Sequence, residues 1–130
     1  LDDVMNVAGH RLGTMELESA VAEVEAVAKA AVAGRNDEQK GTVPDVYVTL
    51  RDGYEESGDL RAAIVEAIEE QIGKFARPAN VWFVEELPQT RSGKIMRRLL
   101  EDISNDEELG NTTTLRDPSV PERIREHIDQ

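Results

Sequence analysis

The stretch VYVTL at residues 46–50 decides the fold class, because β-branched and aromatic side chains alternate along it as they do in a strand. AKAAVAG at residues 28–34 is short and apolar and ends at a glycine, which predicts a buried strand. NVWFVEEL at residues 80–87 holds the only tryptophan and predicts another strand. These three segments predict a central three-stranded sheet, and RNDEQKGTVPD at residues 35–45 predicts a polar loop between two of the strands.

Four segments with helical periodicity surround the strands. Thr14 is the expected N-cap of the first helix, and Asp59 is the expected N-cap of a second helix that ends at Gly73. A short terminal helix follows Pro118. Apolar positions spaced three and four apart define the four helices: Leu17, Ala20, Val21, Val24 and Ala28; Leu60, Ile64, Ala67, Ile68 and Ile72; Ile95, Leu99 and Ile103; Val120, Ile124 and Ile128.

The first thirteen residues, LDDVMNVAGHRLG, place β-prone pieces on both sides of Gly9 and predict a hairpin. Strands and helices are mixed without strict alternation. The sequence therefore predicts an α+β fold: a small domain with an N-terminal β-hairpin and a central three-stranded sheet flanked by helices.

The composition limits the partners of the chain. With 130 residues and a formal net charge of −12, we expect one domain that binds neither nucleic acid nor a membrane surface, since both are anionic. Cysteine is absent and the two histidines are far apart, so we expect no metal site. No apolar run is long enough to cross a bilayer and no leader is visible, which predicts a cytoplasmic protein. Acidic excess with four lysines and eleven arginines favours a halophilic archaeon as the source, with an ordinary acidic domain as the alternative.

The segment PQTRSGKIMRRLL at residues 88–100 contains Ser-Gly-Lys, as phosphate-binding loops do. The first glycine of that motif is replaced by Pro88, and Ile95 follows Lys94 where a hydroxyl is required, so this interpretation fails. What remains is a loop entering a helix, where backbone amides, Arg91 and Lys94 favour an anion. A simply solvated Lys94 is the alternative on spacing alone. Arg97 and Arg98 are expected to mark a helix face and receive no role.

A second cluster lies in NVAGHRLG at residues 6–13. Gly9 allows a ligand to approach the backbone closely, and Arg11 is able to grip a phosphate. Asn6 adds a polar side chain nearby. An ordinary turn with an exposed arginine is the alternative, and His10 is expected to be a packing residue rather than a catalyst.

Together the two clusters resemble a known family. DDVMNVAGHRLGTMELESAV at residues 2–21 and LPQTRSGKIMRRLL at residues 87–100 are similar to the C-terminal domain of AMP-forming acetyl-CoA synthetases, which belong to the adenylate-forming superfamily. The tail LGNTTTLRDPSV at residues 109–120 points to the same short-chain branch. The resemblance covers the whole chain and divides it into a lid domain, residues 1–108 with a hinge at 1–3, and a C-terminal extension of the same domain, residues 109–130.

The resemblance implies a reaction in two halves. Acetate and ATP give acetyl-adenylate and pyrophosphate, and CoA then attacks the adenylate, with Mg²⁺ expected in the complete enzyme. The lid rotates between the halves about a hinge that Asp2 matches. Lys94 matches the lysine that enters the active site for adenylation. Ala8 and Gly9 match the pantetheine channel of the second half, and Asn6 and Arg11 match polar residues near the nucleotide.

The resemblance also implies partners, and this sequence differs from the family at two positions. The partners are an N-terminal adenylation domain of the same chain and an acetyltransferase and deacetylase acting on Lys94. No ATP, CoA or metal is expected to be bound by this fragment alone, which we expect to be inactive. Glu69 stands where bacterial relatives carry a basic residue near the CoA nucleotide, which puts that contact in doubt, and a serine common at Ala8 is lost. The alternatives are the lid of a propionyl- or other short-chain acyl-CoA synthetase, and a non-catalytic stand-alone binding module.

Overall fold

The computed structural model describes residues 4–129, whose strands form one mixed five-stranded sheet. The strands are β1 (Val4–Val7), β2 (His10–Gly13), β3 (Val27–Asp37), β4 (Gly41–Leu50) and β5 (Asn80–Phe83). β3 and β4 form a long antiparallel hairpin, and β5 runs parallel to β4 on its other edge. β1 and β2 form a second hairpin that joins the sheet where Val7 pairs with Gly41. The α+β prediction is confirmed, and the N-terminal hairpin extends the three-stranded centre to five strands.

Helices cover both faces of the sheet. They are α1 (Thr14–Ala22), α2 (Gly58–Gln71), α3 (Arg97–Ser104) and α4 (Val120–Ile128), and a short 3₁₀ turn at Lys74–Ala76 precedes β5. Alternation along β4 explains the two faces: Val46 and Val48 pack with α1 and α2, whereas Tyr47 packs with α3 and α4. The extension at residues 109–130 contributes to the second of these cores through Val120 and Ile124.

The prediction of a polar loop at residues 35–45 is wrong. Residues 35–37 and 41–45 continue β3 and β4, and only the tight turn between them lies outside strands. The physical reason is Asp45, which is fully buried and is compensated by Arg35 at 2.9 Å and by the Asn80 side-chain amide at 3.0 Å. A charged residue in this strand therefore has partners that a linear pattern does not show.

Several element boundaries also differ from the prediction. α1 ends at Ala22, and Gly13 rather than Thr14 is its N-cap. The N-cap of α2 is Ser57, whose Oγ accepts a hydrogen bond from the Leu60 amide at 3.1 Å, and Asp59 lies in the first turn. β5 ends at Phe83, short of the predicted residue 87. Helix ends depend on local hydrogen bonds, which apolar periodicity does not specify.

Candidate functional site

The hairpin of β1 and β2 ends in a two-residue turn made of the predicted channel residues Ala8 and Gly9. Both have positive φ, +50° and +87°, as the tight turns that match the twist of a hairpin require. The Ala8 amide donates to the Lys40 carbonyl oxygen at 2.9 Å, so the turn is fixed on the connection between β3 and β4. No atom lies within 4 Å of a Cβ built on Gly9, so this glycine leaves backbone open to a ligand.

The predicted nucleotide-binding residues Asn6 and Arg11 lie directly opposite each other in the hairpin. Both are exposed, whereas their neighbours Met5 and Leu12 point inward and are buried. Within residues 4–129 the Arg11 side chain forms no hydrogen bond or ion pair, which leaves its guanidinium available to a phosphate. The structure therefore brings these two predicted residues together on one surface.

His10 and Phe75 stack with ring centroids 3.9 Å apart and planes inclined by 25°. This contact supports the expectation that His10 is a packing residue, and it holds the hairpin against the turn that follows α2.

Close by in sequence, Arg77 and Glu69 form an ion pair at 3.3 Å. Glu69, the acid expected in place of a basic residue, thus also neutralises a neighbouring arginine.

Lys94 lies in a closed loop rather than directly at a helix end. The Thr90 amide donates to the Lys94 carbonyl at 2.8 Å, the Gly93 amide to the Thr90 carbonyl at 2.9 Å, and the Lys94 amide to Thr90 Oγ1 at 3.1 Å. Gln89 pairs with Ile95, and the Met96 amide donates to the Pro88 carbonyl at 2.9 Å. The hypothesis of free amides at a helix start is corrected for Gly93 and Lys94, because the loop itself uses them and α3 begins only at Arg97.

The side chain of Lys94 is exposed and contacts no partner among the described residues, and the same holds for Arg91. The loop carrying them is attached to the extension, because Thr90 pairs with the fully buried Leu115 and the Arg116 amide donates to the Gln89 carbonyl at 2.9 Å. Within the part of the chain that the structure describes, Lys94 is therefore an unpaired cation on a fixed loop.

The Lys94 loop and the hairpin turn attach to opposite ends of the β3–β4 hairpin. Gln89 contacts Lys29 near the start of β3, whereas the turn contacts Lys40 in the β3–β4 connection. At about 3.3 Å per residue, the length of β3 between Lys29 and Asp37 is roughly 25 Å. The Lys94 loop and the hairpin turn are therefore two separate surfaces of the domain.

Arg97, to which the sequence motifs assign no role, forms a two-pronged ion pair with Glu18. Its Nε donates to Glu18 Oε2 at 2.7 Å and its Nη2 to Glu18 Oε1 at 2.5 Å. Glu18 also accepts from the Val32 amide at 2.9 Å. The signal in the sequence is a carboxylate beside the apolar stripe of α1, but its partner is 79 positions away.

No group of three or more histidine, aspartate or glutamate side chains within residues 4–129 is arranged to hold a metal ion. None of the helices in this part of the chain has the length and apolarity needed to traverse a bilayer. The predicted hinge residue Asp2 lies outside the described residues.

Helices cover both faces of a small mixed sheet, and an exposed lysine and an open hairpin turn lie toward its two ends, which defines a small α+β domain with two separate exposed surfaces. Residues 16–94 match the AMP-binding enzyme C-terminal domain family. The chain belongs to this family.

Relatives agree with this assignment over nearly the whole chain. The chain is 49% identical to acetyl-coenzyme A synthetase of Gemmatimonas aurantiaca over 99% of its length and 20% of the relative. It is 44% identical to propionate–CoA ligase of Salmonella typhimurium over 99% of its length and 21% of the relative. The chain therefore spans about a fifth of the length of these curated relatives.

Solved structures support the same fold. An acyl-CoA synthetase from Brucella canis superimposes with a TM-score of 0.74 at 37% identity, covering 79% of this chain and 19% of the other. The anthranilate CoA ligase AuaEII, solved with anthranoyl-AMP, gives a TM-score of 0.73 at 30% identity, covering 79% and 20%.

Proposed function

We propose that this chain is the mobile C-terminal domain of an AMP-forming acetyl-CoA synthetase, which makes acetyl-CoA, AMP and pyrophosphate from acetate, ATP and CoA through acetyl-adenylate. The observation that carries the proposal is the attachment of the Lys94 loop and the hairpin turn to opposite ends of one β-hairpin. Two half-reactions that need different surfaces of one small domain require this domain to turn between them. The rest of the active site belongs to an N-terminal adenylation domain of the same chain, and the C-terminal domain alone is inactive.

In adenylation, the Lys94 ammonium acts as a point charge. Acetate oxygen attacks the α-phosphate, pyrophosphate leaves, and negative charge accumulates on the oxygens between the two groups. A lysine without a partner among the described residues is suited to stabilise that charge, since it gives up no ion pair on reaching the substrate. Arg11 and Asn6 lie on the hairpin and belong to the other surface, so their polar contacts to the nucleotide are made when that surface faces the active site.

In thioester formation, the hairpin turn faces the active site instead. The open backbone at Ala8 and Gly9 borders the channel through which the pantetheine thiol reaches the acetyl carbonyl. The sulfur forms a bond to that carbon, the bond between the carbon and the phosphate oxygen breaks so that AMP leaves with the electron pair, and the thiol proton is released. Asp2 provides the hinge between the two orientations.

ATP and CoA are the substrates of the complete enzyme. The described residues include no group suited to a metal ion, so we assign Mg²⁺ to the ATP phosphates and the N-terminal domain and derive no step through it. Acetate is favoured over propionate because several relatives named acetyl-coenzyme A synthetase are 46–49% identical. The lid of a propionyl-CoA synthetase remains the alternative, since a propionate–CoA ligase is 44% identical. The acyl-substrate profile of the complete protein distinguishes the two.

The exposed Lys94 is also the residue on which we propose regulation by an acetyltransferase and a deacetylase. Acetylation neutralises the ammonium and so removes the charge that adenylation needs. We also propose a cytoplasmic location and a halophilic source, and the acidic excess with few lysines supports the halophilic source.

The test uses the complete synthetase with Lys94→Ala. We expect acetyl-adenylate formation to fall by about 100-fold or more, while acetyl-CoA formation from supplied acetyl-adenylate changes by less than about threefold. Lys40→Ala removes an exposed lysine at the other end of the β3–β4 hairpin and is the matched control for adenylation. Equal losses in the two half-reactions would contradict the assignment of two surfaces. If neither variant affects either half-reaction, the non-catalytic module becomes the better explanation.

A further inference from the structure

Glu18 and Arg97 connect the two working surfaces of the domain. Glu18 lies in α1, the helix that follows the hairpin directly, and Arg97 is the first residue of α3, which follows the Lys94 loop. Their side chains pair through two parallel hydrogen bonds and are only 13% and 21% exposed. A forked pair of this kind fixes orientation as well as distance.

The pair is also fixed to the sheet. Glu18 Oε2 accepts a hydrogen bond from the Val32 amide in β3 at 2.9 Å in addition to the one from Arg97. The carboxylate therefore cannot follow Arg97 if α3 shifts, because it would lose its bond to the sheet. Through Glu18, the start of α3 is therefore held in a fixed position relative to β3.

The position of Arg97 is passed on to Lys94 by the closed loop. The Met96 amide is bonded to the Pro88 carbonyl and the Thr90 amide to the Lys94 carbonyl, so the backbone between Lys94 and Arg97 has little freedom of its own. On the opposite strand of the loop, Thr90 and Gln89 are bonded to Leu115 and Arg116 of the extension. The loop is therefore held at two places. The extension holds it through Leu115 and Arg116, and the Arg97–Glu18 ion pair holds it on the side of α1.

We propose that Glu18 and Arg97 are positioning residues for adenylation, which set the Lys94 loop relative to the rest of the domain. This inference rests on the proposed function. Neither residue is expected to touch substrate. They act by fixing the position of the Lys94 ammonium. This position matters because the electrostatic stabilisation of a transition state falls steeply when a charge is displaced by about 1 Å.

Two conservative variants of the complete synthetase test the proposal. Glu18→Gln keeps an oxygen acceptor for the Val32 amide but loses the charge, and Arg97→Lys keeps the charge but loses the two-pronged geometry. For each we expect kcat for acetyl-adenylate formation to fall by about 10- to 100-fold with the KM for ATP changed by less than about threefold. Acetyl-CoA formation from supplied acetyl-adenylate should stay within about twofold of the unsubstituted enzyme.

The matched control is Arg35→Gln, which breaks an ion pair of the same chemistry near the other end of β3. Asp45 keeps its bond from Asn80 in that variant, so its carboxylate is not left without a hydrogen-bond donor. We expect Arg35→Gln to lower the melting temperature without separating the two half-reactions. A double variant of Glu18→Gln and Arg97→Lys should reduce adenylation no further than the more damaging single variant, because the residues act as one unit.

The outcomes separate this inference from the proposed function. If Lys94→Ala abolishes adenylation but Glu18→Gln and Arg97→Lys slow both half-reactions equally, or neither, the pair is merely structural and the positioning role is refuted. Additive losses in the double variant would also refute it. If Lys94→Ala itself leaves adenylation intact, the proposed function fails first, whatever the two variants do.

Discussion

Tyr47→Phe tests how much the second core depends on one buried hydroxyl. Tyr47 is fully buried, and its Oη is 2.6 Å from Ser104 Oγ. Ser104 is 2% exposed, so the substitution removes this short hydrogen bond, together with a longer one from Tyr47 Oη to the Leu100 carbonyl at 3.5 Å, and leaves the serine hydroxyl without this partner. The bond contributes about 1 kcal/mol and the buried orphan costs about 1 kcal/mol more. We expect unfolding of Tyr47→Phe at neutral pH to require about 2 kcal/mol less free energy.

The same hydroxyl predicts a dependence on alkaline pH. Burial raises the pKa of Tyr47 from 10.0 to about 12 in the folded domain. Between these values the unfolded chain loses the phenolic proton while the folded domain keeps it, so stability falls as the pH rises. The slope approaches about 1.4 kcal/mol per pH unit between the two pKa values, which gives a loss of about 2 kcal/mol by pH 12. Phenylalanine at this position abolishes that loss.

The assay is chemical unfolding of the chain and of Tyr47→Phe at a series of pH values. The advantage of tyrosine, about 2 kcal/mol at about pH 8, should shrink above about pH 10 and disappear by about pH 12. Tyr54→Phe removes the other tyrosine and serves as the comparison for burial, because Tyr54 is exposed and the largest cause of its raised pKa is a hydrogen bond to Glu25 rather than burial. Parallel stability curves for the unsubstituted chain and for Tyr47→Phe across this range would refute the burial and bonding described for the phenol.

Three further outcomes follow from the structure. Asn105→Ala should cost about 2 kcal/mol and lower the melting temperature by about 6–10 °C, since its side chain bonds to the Asn36 amide and to the carbonyls of Gly34 and Glu101. Glu69→Arg in the complete synthetase should lower the KM for CoA several-fold without changing that for ATP, because it releases Arg77 and adds a cation. Thermal melting should rise steeply from low to multimolar KCl if the charge of −12 is a halophilic adaptation.

Each of these outcomes has a result that contradicts it. Glu108→Ala, at an exposed position three residues after Asn105, is the control for the first and should leave melting nearly unchanged. An unchanged KM for CoA in Glu69→Arg would mean that α2 does not approach the CoA phosphates. A melting temperature that does not change with KCl concentration would contradict a halophilic adaptation, and the chain would then be an ordinary acidic domain.

Sequence patterns predict the parts of the fold that depend on local periodicity. The strand at residues 46–50, the helix from Leu60 to Ile72 and the hairpin around Gly9 are recognisable because their apolar residues repeat with the period of the element. The strand character of residues 35–45 is not recognisable, since it depends on Asp45 finding Arg35 and Asn80 in three dimensions.

The candidate site shows the same limit. Motif residues such as Lys94 and Arg11 are singled out by chemistry and resemblance, and the structure shows that both side chains are exposed. The closure of the Lys94 loop and its pairing with Leu115 depend on backbone hydrogen bonds that residue types do not encode. Arg97 escapes prediction because its visible signal is its place on an amphipathic helix, while its partner Glu18 lies far away in sequence.

The pairing of Thr90 with Leu115 has a consequence for building hybrid enzymes. Leu115 is fully buried, and Val120 and Ile124 lie in the same core as Tyr47. A chimera that exchanges this domain between two members of the family and cuts after residue 108 would leave the Lys94 loop facing a foreign segment. The unit that can be transferred is thus the chain through the end of α4. A chimera that includes all of it should keep Lys94 together with the contacts of its loop to Leu115 and Arg116.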